Sequence, residues 1–425
     1  MSSRSIVEKI ALGFIALILT GALWRLFSGG SESSVDGDFR TQVILAVIYL
    51  VVAVIALVNG RKTASVIRRG PALFALLLLA CLSPLWAEMP DLVFRRALGL
   101  VGTSLFGVVL ATRFSLEDQL NLLRWVFRWA AGLCIALLGV APHYAISSGA
   151  EGGALRGVFP HKNLLGAAMA LAILVEWHLS GGKGLSRVAK GLSLCAYSAL
   201  LLLSNSMTSI VTIFLTLVVM WVFRVLYRKY RVPLVALVLF VMVTVSAFTV
   251  AGVNGEVLTG MVGRSSDLTG RTELWDAVVS MIHKHPVLGF GFSGFWKDAS
   301  AESAVVQTHI LWTPTYSHNG YLEITLSLGL LGMLLFLLGF ATGARYAWLH
   351  ARTGKTVLDL WPLAFLIFFA IHNMAECTIA WQNCLEWSVF VATALSASTN
   401  FSTVLSEQSS ASEEDPLRVP ATEYA

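Results

Sequence analysis

The sequence predicts an all-α polytopic membrane protein of about twelve transmembrane helices, joined by mostly short connections and one large outer loop. Two observations predict it. Of the 425 residues, 56% are hydrophobic and only 13% charged, about half the charge share of a soluble domain, and the mean hydropathy is +0.74. Apolar runs of spanning length also recur along the chain, and a helix needs about 20 residues to cross the roughly 30 Å hydrocarbon core. Lipid offers the backbone no hydrogen-bond partners, so such runs must be helices packed into a bundle.

The expected spans centre on Leu17, Ile48, Leu78, Gly107, Leu133, Ala170, Tyr197, Leu215, Val241, Leu334, Phe368 and Val391. The first apolar run, residues 10–27, follows Arg4 and Lys9 without a small-residue cleavage site, so it reads as a retained span. Basic residues orient the chain. With both termini inside, the inner connections hold Arg61, Lys62, Arg68, Arg69, Arg113, Arg124, Lys183, Arg187 and Lys190, then Arg224, Arg228, Lys229, Arg231, Arg345, Arg352 and Lys355. With Arg4, Lys9, Arg128 and Arg418, about 20 of the 30 Lys and Arg fall on that side. The net charge of +5 is therefore a topology signal and requires no nucleic-acid partner. Cys81, Cys134 and Cys195 sit in apolar runs and read as buried thiols. Cys377 and Cys384 flank a short outer turn and could pair in an oxidising compartment.

Three outer connections are long: residues 28–41, 141–163 and 253–318. The last carries Trp275, Phe290, Phe292, Phe295, Trp296 and Trp312, enough aromatic surface to pack. Within it, "TGRTELWDAVVSMIHKHP" has helical spacing, with Leu274, Val278, Met281 and Ile282 on one face and Pro286 as the stop. An amphipathic helix near the outer surface is expected. Residues 1–398 thus form the membrane domain, and the acidic, low-complexity tail 399–425 reads as disordered and cytoplasmic.

Several motifs bear on chemistry. "GFGFSG" at 289–294 satisfies the dinucleotide-binding spacing but follows a proline-terminated helix instead of a strand, so it reads as tight backbone turns beside aromatic rings. "DGD" at 36–38 has only two carboxylates in a Ser/Gly-rich loop and is weak grounds for a metal site. "LRGVFPHKNLLG" places Arg156, His161, Lys162 and Asn163 just outside a span. Interfacial anchoring accounts for cations there, yet outer positive charge opposes the orientation bias, and guanidinium and ammonium groups beside a helix N-terminus suit phosphate. Arg264 and Arg271 form a second outer basic element.

"SHNGYLEITLSLGLLG" at 317–332 begins polar and ends as a span. Asn319 and Glu323 fall on one helical face at i,i+4, with His318 at the mouth and Tyr321 beside it, a setting for either a helix cap or proton handling. Gly329, Gly332, Gly339 and Gly343 suggest close helix packing. His372, Asn373 and Glu376 share one turn further on, as either a cavity wall or a bracing His372–Glu376 pair. Ser204, Asn205, Ser206, Thr208 and Ser209 make a further polar turn.

These stretches resemble the O-antigen ligase and Wzy polymerase superfamily. The resemblance rests on His318–Asn319 followed after nine residues by "GLLG", on "GRTELW…HPVLGFGFSGFW" and on "RGVFPHKNLLG", which is similar to the ExoQ-type polymerase branch. It implies glycosyl transfer without metal or other cofactor on the periplasmic face of a bacterial inner membrane. The donor would be an undecaprenyl-pyrophosphate-linked oligosaccharide. Arg156 and Arg271 match the arginines that hold the pyrophosphate, and His318 matches the histidine that activates or positions the acceptor hydroxyl. Around these three catalytic candidates, His161, Lys162, Asn163, Arg264, Trp275, Asn319, Tyr321 and Glu323 are expected to bind substrate. The implied partners are the lipid bilayer, chain-length regulators and export proteins. Repeat-unit polymerisation is the favoured activity, and ligation of a finished glycan to lipid A–core differs only in the acceptor. A transporter would show internal repeats and titratable groups along a path, whereas here the polar groups gather at one surface.

Overall fold

The computed structural model describes residues 3–27, 39–147, 153–180, 182–227, 269–296, 301–310 and 314–397. The span expected at Val241, Arg264, the "DGD" triplet, the tail from 399 and part of the long outer loop lie outside the described residues.

Among the described residues the chain is helical, with no strand and one isolated bridge, Ile146 to Leu155. The order is α1 (Ser3–Leu19), α2 (Trp24–Phe27), α3 (Phe39–Val58), α4 (Gly60–Ile67), α5 (Pro71–Leu82), α6 (Pro90–Arg113), α7 (Leu116–Val140) and α8 (Pro142–Ala145). Then come α9 (Lys162–His178), α10 (Leu185–Leu203), α11 (Met207–Val222), α12 (Thr269–Lys284), α13 (Ala301–His309), α14 (Gly320–Thr353), α15 (Trp361–His372) and α16 (Leu385–Ala397). Starts follow local chemistry. Pro90 opens α6 with Asp91 in its first turn, and Ser115 caps α7 by accepting from the Asp118 amide at 3.2 Å.

The protein is a multi-pass membrane protein. Among the described residues, six helices are long and apolar enough to cross a membrane, or seven if α4 and α5, bent by 95°, count as one span. The span expected at Val241 lies outside that count, and several other apolar runs form helices shorter than 18 residues. Helices of 12 to 17 residues, such as α5, α9 and α15, reach only about 18–26 Å. Pro71 and Pro362 bound two of them, and a polar turn separates α15 from α16.

Packing is dense at the end of the chain. Phe336 and Phe340 on α14 meet Phe390 on α16, which stacks on Phe369 of α15 at 4.8 Å and on Trp387 at 5.0 Å. Gly339 lies against Leu73 of α5 and Gly343 against Ala394 of α16, as their small-residue spacing predicts. The cysteines correct one expectation and decide an open one. Cys195 lies on the exposed face of α10, and Cys377 and Cys384 are both free thiols.

Gly329 does something other than pack. At φ +67 it breaks α14, and a Cβ there would fall 2.1 Å from the Val287 carbonyl oxygen. The break leaves backbone groups without helical partners, and the "HPVLGFGFSG" strap supplies them. Leu330 and Leu331 amides donate to the Pro286 and Val287 carbonyls, while Phe290 and Gly291 amides donate to Leu326 and Ser327. Irregular backbone in a membrane bundle is tolerable only when protein satisfies it in this way. The strap is tied on its far side by Arg96 to the Ser293 carbonyl and by Ser83 Oγ, which accepts from the Phe292 amide at 2.9 Å.

Candidate functional site

The site forms where α9, α12 and α14 begin and where the α15–α16 turn runs. The amphipathic helix α12 buries Leu274, Val278 and Met281 as its spacing predicts, against Phe295, Val306, Ile310 and Leu326. That buried face fixes the opposite end of α12 over the start of α14. Trp275 Nε1 then donates to the Ser317 carbonyl at 2.9 Å, and Arg271 Nη1 donates to the Ala375 carbonyl at 3.0 Å.

The turn holding His318 is braced from several sides. Glu323 is buried and accepts from the Ser317 amide at 2.8 Å and from Trp296 Nε1 at 3.1 and 3.0 Å. Ser317 Oγ donates to the Asn319 carbonyl, and Asn319 Oδ1 caps α14 by accepting from the Tyr321 and Leu322 amides at 3.0 and 3.2 Å. The Tyr321 hydroxyl donates to the Ala370 carbonyl at 2.9 Å. Held so, His318 adopts φ +50, a left-handed conformation that costs a non-glycine residue about 1–2 kcal/mol. Its ring lies 4.1 Å from that of Tyr316.

Glu376 is the centre of the constellation. Asn163 Nδ2 donates to its Oε1 at 3.0 Å, the Tyr316 hydroxyl donates to Oε2 at 3.5 Å, and Arg271 Nη2 stands 4.0 Å from Oε1. Three sequence-distant segments therefore meet on one carboxylate. Burial pushes the Glu376 carboxyl above the usual range, against the pull of Arg271, His372 and His161. His318 is shifted the opposite way. Burial first, then the charges of Arg271 and His161, push it down to about 3, so its imidazole is neutral at physiological pH.

The structure thus brings together Arg271, His318, His161 and Asn163. His161 caps α9, its Nδ1 accepting from the Asn163 amide at 3.2 Å, with Lys162 next to it at the first turn. Arg156 stands on the same connection, partly buried, its amide on the Ala145 carbonyl at 2.9 Å. Asn319 Oδ1, the Tyr321 hydroxyl, the Glu323 carboxylate and Trp275 Nε1 all bond to protein partners around the His318 turn. Asn319 also lies outside the helix as its cap, not on a shared face with Glu323. The polar turn after α10 abuts α9: Gly166 approaches Ser206 and Ser209, whose hydroxyls are 2.9 Å apart.

Sequence reasoning grouped His372 with Glu376. The structure separates them, His372 Nδ1 lying 3.0 Å from Glu386 Oε2 while Glu376 turns to Arg271 and Asn163. Asn373, also buried, receives the Thr378 and Ile379 amides and builds the turn. The signal for Glu376 was present as an acidic residue within a largely apolar stretch, but its partners come from other segments.

Fold and site together define a helical membrane protein with a neutral histidine, an arginine and a buried carboxylate gathered at one end of its bundle. Residues 192–337 match the Wzy_C family, described as O-antigen ligase. The chain is also 26% identical over 286 residues to the exopolysaccharide production protein ExoQ of Rhizobium meliloti (strain 1021), covering 64% of this chain and 63% of that protein. The match spans less than two thirds of the relative's length. Both are likenesses over part of the chain. The Wzy_C match includes Arg271 and His318 and ends before Glu376.

Proposed function

We propose that this protein polymerises undecaprenyl-pyrophosphate-linked oligosaccharide repeat units into exopolysaccharide at the periplasmic face of a bacterial inner membrane. One observation carries the reading: Asn163, Arg271 and Tyr316 converge on Glu376 from three separate segments, and the charges of Arg271 and His161 also reach His318. In the reaction, the acceptor hydroxyl oxygen attacks the anomeric carbon of the donor. The new glycosidic bond forms as the anomeric carbon–phosphate oxygen bond breaks, and the lipid diphosphate leaves with the electron pair. Its developing charge is stabilised by fixed cations where water is scarce, a task suited to Arg271 and Arg156, with Lys162 and Arg264 as further candidates.

His318 would receive the hydroxyl proton or orient the hydroxyl by accepting its hydrogen bond. A neutral imidazole is in the required state for both. Arg271 is one cause of its low proton affinity, so an anionic donor paired with Arg271 would raise that affinity as the reaction begins. Glu376 would hold Arg271 and Asn163 until the donor arrives. The loose 4.0 Å approach leaves the guanidinium able to exchange a carboxylate for a diphosphate. The chemistry requires no metal, because cationic side chains can supply the charge.

The test is polymer output from a deletion strain complemented with wild type, His318→Ala or Arg271→Ala, with membrane levels checked by blot. Stable variants that accumulate single lipid-linked units and make no long chains support the proposal. Normal chains from both would remove these residues from the mechanism. Ligation to lipid A–core uses the same chemistry, and lipopolysaccharide profiles from the same strains separate the two acceptors.

A further inference from the structure

The opposite end of α9 carries a second charged cluster that glycosyl transfer does not use. Glu176, 0% exposed, lies near the C-terminus of α9. It is thirteen residues, or about 20 Å, along the helix from Asn163. It faces Arg128 Nη2 at 2.9 Å and Arg124 Nε at 3.5 Å, both from α7. Arg128 is the middle residue of α7, about 18 Å from either end of a candidate span. A charge inside an apolar helix of spanning length is costly unless partnered, and defaults to a functional reading.

From α10, Lys190 Nζ donates to the Leu179 carbonyl at 2.6 Å and stands close enough to feel both Glu176 and Arg124. Arg124 Nη2 makes only a long, 3.5 Å contact with the Ser180 carbonyl. The Tyr197 hydroxyl is buried beside Arg128 without a hydrogen bond of normal geometry. Other charged groups within reach are Glu117, about two helical turns from Arg124 on α7, and Arg224 near His178.

The bland account is that these cations cap the end of α9 and balance Glu176. It accounts for Arg128, which Glu176 holds tightly, and for part of Lys190. It leaves Arg124 loosely placed, and three cations of α7 and α10 share one fully buried carboxylate. The surroundings are those of a lipid-facing recess. α9 ends near the level of Arg124 while α7 continues two turns further. The first half of α10 exposes Leu185, Val188 and Leu192. Acyl chains cover such side chains, and a phosphate drawn to that level meets Arg124 and Lys190. Basic pockets between spanning helices hold anionic headgroups on these terms.

We propose that the recess between α7 and the α9–α10 hairpin binds the phosphate headgroup of an anionic membrane lipid through Arg124 and Lys190. Glu176 keeps Arg128 as the fixed floor of the site. The site lies away from the glycan chemistry and does not depend on it.

The full chain, purified and delipidated in a neutral detergent, is titrated with phosphatidylglycerol, phosphatidylcholine or inorganic phosphate while thermal unfolding is followed. Phosphatidylglycerol is expected to raise Tm by several degrees and phosphatidylcholine to have little effect. In Arg124→Gln/Lys190→Gln the half-saturating phosphatidylglycerol concentration rises at least about tenfold, while Arg345→Gln binds as wild type. Should the double variant not fold, native mass spectrometry of the wild-type chain decides. Retained phosphatidylglycerol in excess over phosphatidylcholine supports the site, and equal retention overturns it. Equal stabilisation by both lipids, or by inorganic phosphate alone, also overturns it, as does unchanged titration of a folded double variant.

Discussion

The two ends of α9 present the same ingredients in opposite arrangements. At one end Glu376 meets Arg271 at 4.0 Å and shares its oxygens with Asn163 and Tyr316. At the other, Glu176 grips Arg128 at 2.9 Å, with Arg124 more loosely placed at 3.5 Å. A buried ion pair contributes to stability only when its geometry is good, and removal of one partner strands the other charge. The tight pair therefore serves the bundle. The loose one leaves a cation available to an anion from outside. Position agrees with this division, since Arg271 rides on a surface helix held by a small apolar cluster of its own, whereas Arg128 is embedded at the centre of α7.

Four measurements break or sharpen that contrast. The largest effect belongs to Arg271→Ala, which is expected to reduce polymer formation by about 10²–10³-fold at near-normal protein level. A fall in protein level matching the fall in polymer would make Arg271 a structural cation like Arg128. Next, Glu176→Gln is expected to destabilise the chain by roughly 3 kcal/mol, read as a lower Tm and a lower membrane level, with output per folded molecule unchanged. An unchanged Tm would mean that Arg124 and Arg128 are already balanced by something else.

Glu376→Gln keeps a hydrogen-bond acceptor for Asn163 and leaves the Arg271 bond to Ala375 intact, so Tm should move little and output should change by no more than about tenfold. A collapse in stability would erase the difference between the two carboxylates. The smallest effect is in pH. His318 binds its proton only near pH 3 when folded, against about 6.5 when unfolded. The unfolded chain therefore takes up more protons in that window, and stability is full above pH 6.5 and declines as pH falls towards 3. His318→Asn should flatten this part of the Tm–pH curve. An identical curve for the variant would assign the acid sensitivity to other groups.

Much of this was legible in the residues. Composition and apolar runs suffice for the membrane class, and the 3.6-residue spacing of Leu274, Val278 and Met281 suffices for α12, because both depend on local burial patterns. The span count was harder. A window of apolar residues does not reveal whether its helix is continuous or how long it runs, as the twelve residues of α15 show. Gly329 illustrates the limit: its place in "GLLG" suggested packing, while its role as a break depends on a strap that begins more than forty residues earlier.

What the sequence determined by itself is the material of the site: basic residues on the connections between apolar runs, a histidine at the mouth of a span, and acidic residues in apolar stretches. These follow from residue type and hydropathy, which a reader can weigh one window at a time. Tertiary structure alone decided the pairing, giving Glu376 to Arg271 and Asn163, His372 to Glu386, and Glu323 to Trp296 and Ser317. The physical reason is that a buried carboxylate takes its partners from whatever segments the packed helices bring within about 3 Å, and that adjacency is a property of the bundle, not of the spacing along any one helix.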